Sequence, residues 1–233
     1  MLHKAISLSA ATWKHAIIYK HKNKYKFDKT CGQGELDDAF HLTIFDINLI
    51  TWEGDENDWD LYYNGAEDDE DEGTFTITKI GEIRGHYFNI ERMQNSGYDL
   101  LDEFDMHNGD ECCLAETLFN WKTNDFKDEL CTKIAFWAPK AFFYITDVEI
   151  DKKYQNQGYG TELMKNIEKM LYFGMDYNIS FVALFCNPLD KDKHNDDKEI
   201  KKLAKFYEKC GFEHIGEEIC MIKIIDEFIN EDL

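Results

Sequence analysis

Apolar and polar positions alternate with a period of two in some stretches of the chain and with a period near 3.6 in others. In HLTIFDINLI, Phe45, Ile47 and Leu49 fall on one side and Asp46 and Asn48 on the other, which predicts a half-buried strand. TFTITKIGEIRGHYFNIERM is β-branched and aromatic with internal glycines, and predicts two consecutive strands or one bent long strand. In DECCLAETLFNW the spacing of Cys113, Leu114, Leu118 and Trp121 predicts a helix with one apolar face. AFFYITDVEI predicts an apolar-aromatic strand. GTELMKNIEKMLYFG carries Leu163, Ile167, Met170 and Leu171 at helical spacing and stops at Gly174, and ISFVALFCNP predicts a buried strand ended by Pro188. A strand, a helix and a strand in that order make a βαβ unit. KEIKKLAKFYEKCG predicts a helix with Ile200, Leu203, Tyr207 and Cys210 on one face and Gly211 as its C-cap, followed by two short strands between Phe212 and Ile225. The glycine-bounded acidic stretch GAEDDEDEG, like DENDWD before it, reads as a solvated turn whose charges repel one another.

Composition changes the picture in two ways. With 233 residues, 43% hydrophobic and 15% aromatic, the chain can bury one large core, so the fold is globular. Seven cysteines without a CxxC pair or a zinc-spaced Cys/His cluster fit a reducing compartment and give no metal site. The opening residues hold no apolar run long enough for a leader core or a membrane span, so a cytoplasmic protein with no membrane partner is expected. The formal net charge of −21 argues against nucleic acid as a partner, because contacts to phosphate supply most of that affinity. The charge is uneven: residues 151–210 carry 11 Lys/Arg against 10 Asp/Glu. That segment suits either an anionic ligand or merely solvated, lysine-rich helix faces.

Within it, DKKYQNQGYGTEL lies where a predicted strand gives way to a predicted helix. The first N–H groups of a helix have no intrahelical acceptor and its N-terminal end is positive, so such a corner can bind an anion. Gly158 and Gly160 allow close approach of the backbone, and Thr161 can add a hydroxyl. Neither GxxxxGK[ST] nor a complete GxGxxG is present, since Leu163 stands where the third glycine would be.

QNQGYG resembles the Q/R-x-x-G-x-G/A signature of the GNAT superfamily of acyl-CoA-dependent N-acyltransferases. The run YITDVEIDKKYQNQGYGTELMKNIEKM is similar to that family's central strand, pyrophosphate loop and helix, and KLAKFYEKCGF to its second motif, Tyr before E-K-x-G-F. The resemblance covers Phe142 to about Ile225, with residues 1–140 matching only as strands that complete the sheet. It implies an α/β fold, a mixed, mostly antiparallel twisted sheet flanked by helices and splayed at an acetyl-CoA cleft. Residues 1–40 would form an N-terminal extension packed on a single domain spanning 41–233. It further implies that backbone N–H groups of Gln155, Asn156, Gln157, Gly158, Tyr159, Gly160 and Thr161 hold the pyrophosphate of acetyl-CoA. Main-chain groups of Val148 and Ile150 would pair with the pantetheine arm, where the central strand bulges and parts from its neighbour, and Asn187 would touch the cofactor or simply close a proline turn. Lys152, Lys153, Lys201, Lys202 and Lys205 would flank its anionic end or remain solvated.

The implied reaction is direct attack of a primary amine on the thioester. Deprotonating a lysine-like amine at neutral pH costs about 4 kcal/mol without help, so a base or a water path is needed. The departing thiolate needs a proton donor, the role the resemblance assigns to Tyr207, otherwise a core aromatic. The strand position where some members carry a Glu base falls on Tyr144, a departure from the pattern. YITDVEI also resembles the YIEDLYV of polyamine and related small-amine acetyltransferases, with Thr146 in place of their Glu and Asp147 kept. Asp147 and Glu149 share one strand face and can bind an ammonium or relay its proton, or be ordinary polar-face residues. The acidic remainder of the chain suits a cationic acceptor, whether a polyamine, an aminoglycoside-like amine or a lysine or N-terminal amine of a protein. The alternative is a non-catalytic module of the same fold that binds acyl-CoA or a protein. A homodimer is compatible with either.

Overall fold

The computed structural model describes residues 2–10, 15–21, 24–29, 40–53, 75–107, 109–135, 138–174, 178–188, 196–216 and 219–225. The acidic stretches DENDWD and GAEDDEDEG lie outside the described residues, as does most of the charged loop KDKHNDD. Five strands come first: β1 (Leu2–Ala10), β2 (His15–His21), β3 (Lys24–Lys29), β4 (Phe40–Glu53) and β5 (Phe75–Asn89). TFTITKIGEIRGHYFNIERM is thus one long strand followed by a helix, α1 (Ile90–Asn95). The switch occurs at Asn89, whose side-chain oxygen accepts the Arg92 N–H at 2.9 Å and caps the new helix.

Next come α2 (Leu100–His107), α3 (Gly109–Leu118), a small hairpin of β6 (Phe119–Asn120) and β7 (Asp125–Phe126), and α4 (Asp128–Lys133). In α3 the buried residues are Glu111, Leu114, Ala115, Thr117 and Leu118, while Cys113 is exposed and Trp121 lies beyond the helix. The stripe is therefore turned from the expected one and includes a carboxylate, and Trp121 falls in the hairpin turn because the helix ends at Leu118.

The second half holds β8 (Ala141–Ile150), a 3-10 turn (Lys152–Tyr154), α5 (Tyr159–Lys165), α6 (Ile167–Lys169), a π-helical turn (Met170–Gly174), β9 (Phe181–Phe185), α7 (Asp197–Lys209), β10 (Glu213–His214) and β11 (Cys220–Ile224). The single helix expected up to Gly174 is broken at Asn166, where φ is −117°. Lys223 of β11 fills the break: its ammonium donates to the carbonyls of Met164 (3.3 Å) and Lys165 (2.6 Å) and lies 2.7 Å from the Glu168 carboxylate.

Among the described residues nine strands form one sheet in the order β10-β11-β9-β8-β5-β4-β1-β2-β3. Every neighbouring pair is antiparallel except β8 and β9, the parallel strands of the βαβ unit. The fold is thus α/β with a mixed, mostly antiparallel sheet flanked by helices. One apolar cluster packs α5, α6 and α7 on one sheet face through Ile83, Phe143, Ile145, Leu163, Ile167 and Ala204. The second packs α1 to α4 on the other face. Its centre is an aromatic stack, with ring centroids of Phe88 and Phe104 4.4 Å apart, Phe88 and Phe142 5.1 Å, and Phe142 and Phe181 4.9 Å. Burying each of these side chains is worth about 1.5–3 kcal/mol. Among the described residues no helix is long and apolar enough to cross a membrane.

Candidate active site

β8 is hydrogen-bonded on both sides for only part of its length. Its parallel pairing with β9 runs from Phe142 opposite Phe181 to Ile145 opposite Leu184 and ends there, while β8 continues along β5 to Ile150. On the β5 side Gly85 faces Ile145 and Arg84 faces Asp147, so Thr146 is an extra residue, a β-bulge at the point where the strands part. The bulge inverts the alternation of side chains. Ala141, Phe143 and Ile145 pack with the α5–α7 cluster before it, and Val148 and Ile150 do so after it. Asp147 and Glu149 are thereby placed on the opposite face, the side of Phe142 and Tyr144. Gly85 makes the tight pairing feasible: a Cβ there would stand 2.5 Å from the Phe143 ring and from the Tyr144 carbonyl oxygen.

A cavity of about 270 Å³ opens in the split. Ile145, Thr146, Asp147 and Val148 of β8 form one wall, Leu184, Phe185, Asn187 and Pro188 from β9 and its end form another, and Glu199, Lys202, Leu203 and Tyr207 of α7 close it. Tyr207 is half-buried, and burial first, then the neighbouring Cys186 and Cys210, pushes its phenol above the ordinary tyrosine range. Its proton therefore stays in place at neutral pH, where the hydroxyl can donate a hydrogen bond to an anion that develops beside it. Burial pushes the Cys186 thiol up to about 12, so this neighbour is an inert apolar group rather than a nucleophile.

Past Ile150 the chain turns through the glycine loop. Gln155 Nε2 donates to the Ile150 carbonyl at 2.7 Å and Gln157 Nε2 to the Lys153 carbonyl at 2.8 Å, so both glutamine side chains brace the loop from within. The Ile150 carbonyl is occupied by that bond. Asn156 (φ 59°) and Gly158 (φ 90°) both adopt the left-handed region. Nothing lies within 4 Å of where a Gly158 Cβ would stand, so the loop presents bare backbone to open space, and α5 begins at the next residue. Gly160 faces α7, with Phe206 Cζ 3.8 Å from its Cβ position. Lys152 and Lys153 are exposed beside the loop.

The model of the acetyltransferase (GNAT) domain matches residues 115–214. This stretch is a GNAT acetyltransferase domain. The GNAT match begins in the last turn of α3 and takes in all of β8, the glycine loop and α7, and so includes every residue that lines the cavity. A crystal structure of an agmatine N-acetyltransferase variant in its apo form aligns over 74% of this chain and 84% of its own, with 10% identity and a TM-score of 0.36.

Of the residues singled out by sequence within the GNAT domain, Asp147, Val148, Asn187 and Tyr207 share the cavity wall. Ile150 and the loop from Gln155 to Thr161 continue from the same strand. Glu149 is exposed and pairs in register with Glu82. The sequence pattern does not single out Thr146, although its signal is present: apolar residues facing α5 and α7 fall at 141, 143 and 145, then at 148 and 150, one position out of phase. The unbroken apolar run from Ala141 to Ile145 hides that shift.

Proposed function

We propose that this protein transfers the acetyl group of acetyl-CoA to a primary amine of a cationic acceptor by direct attack. The observation that carries this reading is the split of β8 from β9 at Ile145 and Leu184, with Tyr207 on one wall of the resulting cavity and Asp147 on the other. Acetyl-CoA supplies an activated thioester when bound. The fit to this chain is favourable: among the described residues the β8 edge beyond Ile145 has no strand partner on the β9 side, and the Gly158 backbone leaves a place that any Cβ would fill.

In this reading, Val148 and Ile150 offer main-chain groups to the pantetheine arm, with the Ile150 carbonyl already committed to Gln155. The backbone from Gln155 to Thr161 holds the pyrophosphate, and Asn187 borders the same channel. Tyr207 stabilises and then protonates the departing sulfur; as a phenol it is a weaker acid than the thiol formed, so transfer accompanies departure rather than preceding it. On the acceptor side Glu82 is already held by Arg84 at 2.7 Å and by Lys79 at 3.1 Å. Among the described residues neither Asp147 nor Glu149 takes part in an ion pair, which leaves them to attract an ammonium group. A carboxylate that binds the ammonium also stabilises its charged form, so a separate proton acceptor is required.

The test is thiol release from acetyl-CoA with spermidine, an aminoglycoside and a lysine-rich peptide, read with the mass of the product. Release coupled to a gain of one acetyl group supports the reading. Binding of coenzyme A without turnover on any amine would instead support a non-catalytic binding module.

A further inference from the structure

We propose that Phe185 selects the acceptor: its ring lies where the amine enters the cavity and, together with Asp147, favours a charged alkylammonium group. This rests on the acetyl-transfer reading and names the side chain that reads the acceptor's charge. Alternation along β9 puts Phe181, Ala183 and Phe185 on the sheet face of α1 to α4, and Val182, Leu184 and Cys186 on the face of α5 to α7. Phe181 and Ala183 are wholly buried, whereas Phe185 is only half-buried. The difference follows from the split. The pairing of β9 with β8 ends at Leu184, so Phe185 is the first residue beyond it, and its ring lines the cavity.

The cavity draws its walls from both faces of the sheet. Leu203 and Tyr207 come from α7, on the side of the glycine loop, and Asp147 and Phe185 from the opposite side. A thioester held on the first side is met by an amine that arrives past Phe185 and Asp147. The Phe185 ring is braced in place: the buried Tyr144 ring stands at 82° to it with centroids 6.0 Å apart, and its backbone pairs with Cys220 of β11. Arg84 faces Asp147 in register on β5, but its guanidinium is bound by Glu82 at 2.7 Å.

An ammonium group that leaves water for such a cavity needs compensating partners. Asp147 supplies opposite charge, and a second carboxylate beside it would hold the proton on the nitrogen still more firmly. An aromatic face attracts a cation through its ring quadrupole, more weakly than a carboxylate does, so it adds recognition with a smaller rise in the amine's pKa. The ring also covers the methylene next to the nitrogen, which a polar group would leave without a partner. A packing role alone needs no aromatic ring at this position, since Leu184 and Pro188 already give the wall apolar surface.

The experiment compares wild type, Phe185→Leu and a chain with trifluorophenylalanine in place of Phe185, by thiol release from acetyl-CoA with spermidine. Acetyl-CoA affinity and melting temperature are measured on each. Fluorination keeps the ring apolar and close to its original size but withdraws electron density from its face, so it removes attraction for a cation with little change in packing. Both variants should raise KM for spermidine, Phe185→Leu by about tenfold, with a smaller change in kcat and unchanged acetyl-CoA affinity. The fluorinated chain keeps the test open if Phe185→Leu does not fold. A wild type that turns over, with the fluorinated chain keeping the wild-type KM or with KM and acetyl-CoA affinity changing only in step with melting temperature, would make the ring a packing group; this overturns the inference and leaves acetyl transfer standing. No thiol release by wild type with spermidine or the other amines overturns both.

Discussion

At Gly158 the backbone stands at φ 90° with nothing within 4 Å of the Cβ position, so a new side chain there meets no protein atom. Gly158→Asp should therefore keep the fold, with a conformational cost of about 1–2 kcal/mol, while putting a carboxylate where phosphate is expected. Calorimetric titration should show acetyl-CoA affinity reduced beyond detection and thermal denaturation a drop of only a few degrees; unchanged affinity would sink the loop assignment. Tyr207→Phe tests the other side of the cavity. It removes one hydroxyl and keeps the ring that packs 5.7 Å from Phe212, so kcat should fall about 100-fold with little change in acetyl-CoA affinity or melting temperature. Both residues were legible in the sequence because each sits in a motif with a chemical reason for its residue type. Phe185 was not, because ISFVALFCNP reads as a buried strand and only the end of the β8–β9 pairing opens that ring to the cavity.

Two elements show how tertiary contacts override a local pattern. The helix after the glycine loop has an unbroken apolar periodicity in sequence, yet Lys223 takes carbonyls that a continuous helix would use and splits it at Asn166. Lys223→Met should destabilise the protein by about 2–4 kcal/mol in denaturant unfolding, since the Glu168 carboxylate then lacks its partner, and Glu168→Gln in the same chain should recover part of the loss. The second element is the β5–β8 ladder. Gly85→Ala would force a Cβ against the Phe143 ring and the Tyr144 carbonyl, so a loss of about 1–3 kcal/mol is expected, together with weaker acetyl-CoA binding if the bulge shifts. The resemblance implied a bulge in this strand near Val148 and Ile150, but a one-residue bulge is hard to place in a strand whose first half is apolar on both faces, so its position at Thr146 came only from the register.

For the whole molecule, the order of strands and helices from Ala141 onward was legible because each element has its own period and its own stop signal. The placement of β1, β2 and β3 at the far edge of the sheet was not, because alternation specifies a strand but not its neighbours. Stability at high pH follows from two phenols on opposite faces of that sheet. Tyr144 and Tyr207 hold their protons above the ordinary range in the folded chain, chiefly through burial, whereas in the unfolded chain they lose them near pH 10. Their stabilising effect is complete below that pH. As pH rises past it the unfolded state binds fewer protons than the folded one, and stability should fall by about 1.4 kcal/mol per pH unit for each phenol. Chemical denaturation of Tyr144→Phe and Tyr207→Phe across this range should show a shallower decline in each.

One consequence of the strand that is flanked on both sides up to Ile145 and on one side beyond it concerns the tempo of the backbone. Deuterium should enter the amides of residues 147–150 by local openings far smaller than those that expose 142–145, giving a step in labelling rate inside a single strand. Saturating acetyl-CoA should flatten that step from its outer end.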